Sequence, residues 1–389
     1  MPLSIRYCFY PVMGDAIHGI IGDLIDAMSM ACTTFGVCTS LGFGVQTINS
    51  GLNRLNSDIK ADDETTQIVT IWIITCLATG SVMLGLARGI KNFSLFTFAL
   101  GCFLLFALMF LDNTWYLLNV YTQSIGHYIQ YVILVGFQCD AFEQLNYEFT
   151  KGSNLGWDNG NSMTGTGKLI QNVEAATNME MADPMEYFGS HAMQFQDWWT
   201  IFYWGWWISW GPFVGLFIAR ISRGRTVREV ILGSLMAPIL YTFLFMGCLG
   251  ALGIKWQRTA ELALGVKPDI NRGSIDCEAM GYVGGMPNST EAIALADIGI
   301  YAIACRNHGD RMYDVLEPYG HDIGVFLKIV TLVAVVLYFI TSSDSGSYVD
   351  DTISAAGMLD PPYIQRIYWA VTEGAVATAL LAGGGADAL

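Results

Sequence analysis

Four aromatic residues fall on one face of a predicted helix. Tyr203, Trp206, Trp207 and Trp210 are spaced i, i+3, i+4 and i+7, which places their side chains along one stripe. At a rise of about 1.5 Å per residue, Trp210 lies roughly 16 Å deeper than Trp199, too deep for an aromatic belt at a membrane surface. Indole faces attract quaternary ammonium groups by cation–π interactions. The stripe therefore predicts a site for an organic cation, with core packing as the alternative.

The same helix is predicted to bend directly after the stripe. Gly211 is followed by Pro212, which lacks a backbone N–H and clashes with the preceding helical turn. Transporters place such interruptions beside sites in the middle of the membrane, where freed backbone groups meet the ligand. A kink that serves packing alone is the alternative.

A second group of polar side chains lies near one end of another apolar segment. Thr341, Ser342, Ser343, Asp344 and Ser345 put hydroxyl groups beside one carboxylate. Hydroxyls in membrane helices often bond only to the carbonyl four residues earlier, and this run exceeds that need. Hydroxyl and carbonyl oxygens suit a hard cation such as sodium. Asp344 is a functional candidate as an acid in a membrane segment, with helix capping or contact with nearby arginines as alternatives.

An intramembrane hydrolase is the rival interpretation from another functional class. Its catalytic groups would be Asp344 and a neighbouring hydroxyl, but no membrane-buried His or paired second Asp is expected to supply a base. His127, His191, His308 and His321 all lie in or beside polar connections. The net charge of −15 argues against a nucleic-acid partner. The sequence therefore predicts a protein that is not an enzyme, has no cofactor, and has no metal site other than one for Na+.

These side chains must be positioned by helices that cross a membrane. Of the 389 residues, 14% are charged and 53% are hydrophobic, whereas soluble domains carry about 25% charged residues. A spanning helix needs ~20 largely apolar residues. Seven segments meet this requirement: 19–49, 67–87, 93–119, 199–219, 230–254, 323–348 and 363–383. The chain is predicted to be an all-α integral membrane protein.

Two segments differ from an ordinary span. The first span is rich in Gly, Ser and Thr, which let helix backbones approach closely, so it is predicted to be an inner helix. Residues 121–149 mix apolar and polar side chains at helical spacing and predict an amphipathic helix at the membrane interface.

The loops indicate an orientation. Four arginines lie between residues 220 and 228, and short positively charged loops remain in the cytoplasm. This choice also places the N-terminal region with Arg6 inside and loop 255–321 outside. Cys277 and Cys305 share that outer loop and can form a disulfide if it faces an oxidising compartment.

Three stretches resemble the betaine/choline/carnitine transporter (BCCT) family. They are FYWGWWISWGPFVGLFIARISRGRTVRE at 202–229, IDAMSMACTTFGVCTSLGFGVQTINSGL at 25–52, and FITSSDSGSYVDDTISAAG at 339–357. The similarity covers most of the chain apart from 150–196 and 255–321.

The resemblance implies a LeuT-like fold with about twelve membrane helices and two five-helix inverted repeats. The first predicted span matches the family's fifth helix and the last its eleventh. The chain, 1–389, is thus expected to be a single, partial transporter domain that lacks the first four helices and the twelfth. Residues 19–120 would hold the last three helices of the first repeat, 121–149 the interfacial helix, and 199–383 the first four helices of the second repeat.

The resemblance also carries over a substrate site. Trp206, Trp207 and Trp210 match the family's substrate-binding tryptophans on this helix. Phe213 matches an aromatic position near the site, and Tyr203 shares the stripe.

A sodium site is implied by a second matching motif. Thr341 and Ser342 match a sodium-site pair, with the carbonyl of Tyr338 nearby. Sodium-coupled relatives carry two threonines one turn apart near a second cation site. Thr33 fills one of these positions, whereas Val37 occupies the other.

The function implied is secondary active transport of a trimethylammonium osmolyte, such as glycine betaine, choline or carnitine, by alternating access across the plasma or inner membrane. Sodium is the expected coupling ion, and relatives are commonly homotrimers. Proton-coupled carriers and exchangers of the family are alternatives, as is a non-transporting fragment or a membrane receptor of the same fold.

Overall fold

The computed structural model describes residues 2–61, 63–84, 89–137, 201–266, 275–358 and 360–384. The predictions made for Trp199 and for residues 138–149 lie outside these ranges.

The described residues are mostly helical. In chain order the helices are α1 Ile20–Leu55, α2 Glu64–Leu84, α3 Lys91–Leu111, α4 Thr114–Phe137, α5 Trp204–Ser209, α6 Gly211–Ile221, α7 Val227–Ala263, α8 Thr290–Asp297, α9 His308–Asp314, α10 His321–Ser354 and α11 Tyr363–Gly384. Short 3₁₀ helices occupy Ile5–Phe9, Gly14–His18, Ile303–Cys305 and Glu317–Tyr319, and the first two flank a helical turn at Tyr10–Met13.

Five helices among the described residues are long and apolar enough to cross a membrane: α1, α2, α3, α7 and α10. The prediction of an all-α chain with membrane spans is thereby confirmed, but the number seven is not. The predicted span 199–219 is divided between the short helices α5 and α6. The predicted span 363–383 corresponds to α11, which carries Arg366 and Glu373 and falls outside the five.

Helix α1 lies against α10, α11, α2 and α9, so the prediction of an inner helix is confirmed. Its small residues permit this packing. A Cβ atom added to Gly44 would lie 2.2 Å from Cζ of Phe339 on α10, a distance that real Cβ atoms do not adopt. Leu41 and Val45 of α1 belong, with Ile340 of α10, to the largest apolar cluster among the described residues.

The predicted span 93–119 is wrong at its end, because α3 stops at Leu111. Asp112 leaves the helix, and the side chain of Asn113 accepts a hydrogen bond from the N–H of Tyr116 at 3.0 Å, which caps a new helix. Helix α4 therefore begins at Thr114, before the predicted start of the amphipathic segment at 121. It packs against α7, where the Tyr116 hydroxyl donates to a backbone carbonyl.

The loop between α7 and α10 is ordered around a small sheet. Strands β1 (Tyr282–Val283) and β2 (Met286–Pro287) pair antiparallel, with Tyr282 opposite Pro287. A disulfide joins Cys277 to Cys305, the two cysteines for which the sequence analysis considered a bond conditional on an oxidising compartment. It lies beside a small apolar cluster that includes Met280 and Tyr282.

Ion pairs attach this loop to the end of α1. Asp314 is fully buried and accepts hydrogen bonds from Arg54 of α1 and from Nε of Arg306, the latter at 2.7 Å. Asp310 lies farther from both guanidinium groups, at 3.6 and 3.4 Å. The network fixes α9 against α1.

The opposite end of the bundle brings together segments that were predicted to share one side of the membrane. Pro2, Leu3, Arg220 and Arg223 line one cavity of about 690 Å³ together with residues 355–358. At the same end Arg6 pairs with Asp23 and Asp26 of α1.

Candidate solute and ion sites

The tryptophan stripe lies on an interrupted helix, as predicted. Residues 201–203 form a π-helical turn, α5 follows, and Trp210 stands between α5 and α6 in a turn. Pro212 is the second residue of α6 and has no N–H to donate to the preceding turn. The interruption therefore falls at the last indole of the stripe.

Three indoles of the stripe contact one another. The ring centroids of Trp206, Trp207 and Trp210 are 6.0, 5.8 and 5.8 Å apart in the three pairings. The interplanar angles are 42°, 80° and 58°, so the three faces are not parallel. A cation held by one of these rings would lie over its face, within ~6 Å of its centroid.

Helix α1 supports two of these rings. Trp206 contacts Phe43, with ring centroids 6.3 Å apart, and Trp210 lies against Gly36. The indole N–H groups of Trp206 and Trp210 are buried and have no hydrogen-bond partner among the described residues. Both rings are thus fixed by apolar contact rather than by hydrogen bonds.

The remaining predicted residues divide between the surface and the interior. Trp207 is 49% exposed and Tyr203 is 37% exposed, so this side of the stripe is open in the described part of the chain. Phe213 is buried in a cluster with Val349 and Ile353 of α10, and its ring centroid is 5.6 Å from that of Trp210. Phe213 therefore joins the stripe to α10.

The predicted sodium ligands on α10 lie together. Oγ1 of Thr341 donates a hydrogen bond to the carbonyl of Tyr338 at 2.9 Å, and the carbonyl of Thr341 accepts one from Ser345 at 2.6 Å. Ser342 follows directly and is partly buried. These bonds also fit hydroxyls that only satisfy their own helix, the alternative considered above.

Thr33 lies on α1, apart in sequence from the α10 group. Its hydroxyl is buried and donates to the carbonyl of Ser29 at 2.8 Å, a bond within α1. Val37, at the other aligned position, is buried and supplies no oxygen.

The alternatives offered for Asp344 as a helix cap or a partner of the arginines near residue 220 are wrong. Asp344 is fully buried within α10 and accepts a hydrogen bond from Ser81 of α2 at 2.5 Å. Sequence reasoning missed further buried acids, among them Asp350 and Asp351 of α10 and Glu373 of α11. The available signal was an acidic residue inside an otherwise apolar helix, which marks a functional candidate.

The sequence matches a known family over its whole length. The family described as BCCT, betaine/carnitine/choline family transporter, matches residues 1–298 and 275–389. The chain belongs to this family. The resemblance drawn from the tryptophan helix is thereby confirmed, and a transporter family rather than an intramembrane hydrolase is indicated.

Individual BCCT relatives are similar along nearly all of this chain. A glycine betaine/proline/choline transporter of Vibrio parahaemolyticus is 33% identical over 99% of this chain and 53% of its own length. Glycine betaine transporter 1 of the same organism is 33% identical over 100% of this chain and 57% of its own. A glycine betaine transporter of Acinetobacter baylyi is 31% identical, with coverages of 100% and 46%. The chain spans about half the length of these relatives.

Proposed function

We propose that this chain binds a trimethylammonium osmolyte, such as glycine betaine, choline or carnitine, within a secondary active transporter of the cell membrane. The observation that carries the proposal is the mutual contact of Trp206, Trp207 and Trp210 at an interrupted helix. The names of the relatives, which include glycine betaine and choline, support it.

Binding would use the indole faces. The methyl groups of a quaternary ammonium offer no hydrogen-bond donors, so a ring face is a suitable partner for them, and each such contact contributes about 0.5–2 kcal/mol. Tyr203 would flank the cation, and Phe213 would transmit the position of the stripe to α10. The interruption at Trp210 allows α6 to tilt relative to α5, which is the kind of movement that alternating access requires.

Sodium is the proposed coupling ion. The hydroxyls of Thr341 and Ser342 and the carbonyl of Tyr338 are oxygen ligands that fit Na+, and Thr33 would serve a second position on α1. Binding of sodium and of the solute would be coupled if both favour one closed conformation.

A LeuT-like architecture is part of the same proposal. The first repeat would contribute 19–120 and the second 199–383, with α4 as the interfacial helix. A homotrimer, as expected from the resemblance, would complete the assembly.

Uptake of radiolabelled glycine betaine into liposomes tests the proposal. The chain would be compared with a chimera that adds those segments of glycine betaine transporter 1 of Vibrio parahaemolyticus that the chain does not cover. Each protein would be assayed with and without an inward sodium gradient. We expect sodium-dependent accumulation by the chimera and binding by the chain. Absence of both binding and uptake for every trimethylammonium solute would refute the proposal.

A further inference from the structure

A buried carboxylate on α11 has no compensating charge. Glu373 is 1% exposed, and its Oε2 accepts a hydrogen bond from Ser343 of α10 at 2.9 Å. Its Oε1 has no hydrogen-bond partner among the described residues. This acid is not one of the residues assigned above to the solute or to sodium.

The helices around Glu373 add acids rather than bases. Asp344 and Asp350 face it from α10, and both are fully buried. Helix α1 contributes Cys38, whose thiol donates to the backbone carbonyl of Glu373 at 3.4 Å, and Thr34, whose hydroxyl donates to Oδ2 of Asp350 at 2.9 Å.

The other two elements contribute no cation to Glu373. On α2, Ser81 donates to Asp344, and Thr75 faces Gly374 of α11. The nearest arginine in α11 itself is Arg366, which pairs with Asp351 and Asp360 at 3.5 and 3.9 Å.

No lysine or arginine of the described residues forms an ion pair with Glu373 or Asp350. An ionised carboxylate is strongly disfavoured in such a place, since burial removes its hydration without supplying an opposite charge. Among the described residues, no three His, Cys, Asp or Glu side chains are arranged to hold a metal ion. A proton on one of these carboxyl groups would remove the uncompensated charge.

Three buried oxygens around Glu373 lack hydrogen bonds in the described structure: Oε1 of Glu373, Oδ1 of Asp350 and Oγ of Ser347. The Ser347 hydroxyl faces Glu373 and is in a position to donate to it. A Cβ atom added to Gly346 would lie 3.4 Å from Glu373 Oε1, which places that oxygen beside the turn of α10 that carries Ser347. The Ser347 hydroxyl supplies one donor to these three oxygens, and a hydrogen on Oε1 would supply a second, so that each carboxyl group could take part in a hydrogen bond.

We propose that Glu373 is a proton-binding site, with the proton on Oε1 and directed at the Ser347 or Asp350 oxygen of α10. Oε2 continues to accept from Ser343, so the neutral acid makes one hydrogen bond with each of its oxygens. The proton joins α11 to α10, the helix that carries Thr341 and Ser342. Separation of α11 from α10 would admit water to Glu373 and allow the acid to release its proton. Protonation of Glu373 is thereby linked to movement of α10.

Infrared spectroscopy of the purified protein in lipid at neutral pH tests the proposal. The C=O stretch of a neutral carboxylic acid is expected in the wild type and is expected to lose one group's amplitude in Glu373→Gln. Glu291→Gln, at an exposed acid of α8, is the control and should leave the band unchanged. An undiminished band in Glu373→Gln would overturn the proposal.

A second variant keeps the test decisive if Glu373→Gln does not fold. Ser343→Ala removes the hydrogen bond to Oε2 but retains the acid, so the band should shift in frequency while keeping its amplitude. An unshifted band would contradict the assignment.

Thermal unfolding at increasing pH gives an independent measurement. A folded state that retains a proton which the unfolded chain releases loses stability as pH rises. We expect wild-type stability to fall as pH rises above the unfolded pKa of a glutamate, about 4, and to fall less in Glu373→Gln. Equal slopes would contradict the proposal. Neither experiment needs a substrate, so their outcome is separable from that of the uptake assay.

Discussion

The indole nitrogen of Trp210 lies against the backbone of Gly36 on α1. A Cβ atom at residue 36 would stand 2.6 Å from Nε1 and 2.7 Å from Cδ1 of this ring. Because real side chains do not tolerate such distances, the observed position of Trp210 requires glycine at this point of α1. The tryptophan stripe is thereby tied to the helix that also carries Thr33.

Replacing Gly36 is expected to weaken solute binding. Gly36→Ala should displace the Trp210 ring, and overpacking of this kind costs about 1–3 kcal/mol. We expect roughly tenfold weaker binding of glycine betaine, measured by titration calorimetry. Gly126→Ala on α4, where an added Cβ meets no atom within 4 Å, is the matched control. Equal affinities of the two variants would show that Trp210 does not shape the site.

The positions of the long helices could be predicted from the distribution of apolar residues, because α1, α2, α7 and α10 each contain most of one predicted span. Their ends could not be predicted in this way. Helix α7 continues to Ala263, nine residues beyond the predicted span 230–254, because its polar side chains find partners: Lys255 pairs with Asp112 and Arg258 with Glu261. The first pair is a tertiary contact and the second an i,i+3 pair of charged side chains within α7, and neither shows in a count of apolar residues.

The ion pair between Asp112 and Lys255 should contribute to stability in a pH-dependent manner. Lys255 Nζ lies 2.6 and 2.8 Å from the two carboxylate oxygens, and the Tyr319 hydroxyl donates at 2.9 Å. Burial alone would raise the pKa of Asp112, but these hydrogen bonds outweigh it, and the net pKa lies below its ordinary value.

Asp112→Asn is expected to lower the free energy of unfolding by about 2 kcal/mol at neutral pH. A lowered pKa means that the contribution is present above the unfolded pKa of about 4 and disappears as pH falls below it. Thermal unfolding between about pH 7 and pH 3 measures this, with the exposed Asp297→Asn as the control. A difference that stays constant across this range would argue against the ion pair.

Asp314 should be more important than Asp310 for holding the α9 loop on α1. Asp314→Asn would leave two arginines, Arg54 and Arg306, without their closest partner, which costs about 3–5 kcal/mol in a buried site. Asp310→Asn removes only the longer contacts and should cost less than about 1 kcal/mol. Similar unfolding temperatures for both variants would contradict this ranking.

Sodium dependence should be sensitive to Thr341 and Ser342. Each alanine variant is expected to raise the sodium concentration for half-maximal uptake by the chimera about tenfold. Thr352→Ala is the matched control, since Thr352 lies on the same helix and donates to its own backbone at 2.8 Å, as Thr341 does. If all three variants respond alike, the effect belongs to helix packing and not to an ion site.

The aromatic part of the candidate site was predictable from spacing, because one face of a helix is a property of the local sequence. The proximity of the buried acids was not, since Asp350 and Glu373 are distant in sequence and become neighbours only when α10 packs against α11. The exposure of the individual tryptophan side chains could not be predicted from the sequence either. Nothing local to the stripe distinguishes Trp207, which is open, from Trp210, which α1 covers.

The affinity of glycine betaine for Trp207→Leu tests the central claim most directly. Trp204→Leu is the control, because Trp204 lies on the same helix and is 57% exposed against 49% for Trp207. Loss of one cation–π partner is worth about 0.5–2 kcal/mol, so binding to the chimera should weaken up to about thirtyfold in Trp207→Leu and stay unchanged in Trp204→Leu. Unaltered affinity of Trp207→Leu for glycine betaine, choline and carnitine alike would contradict the account.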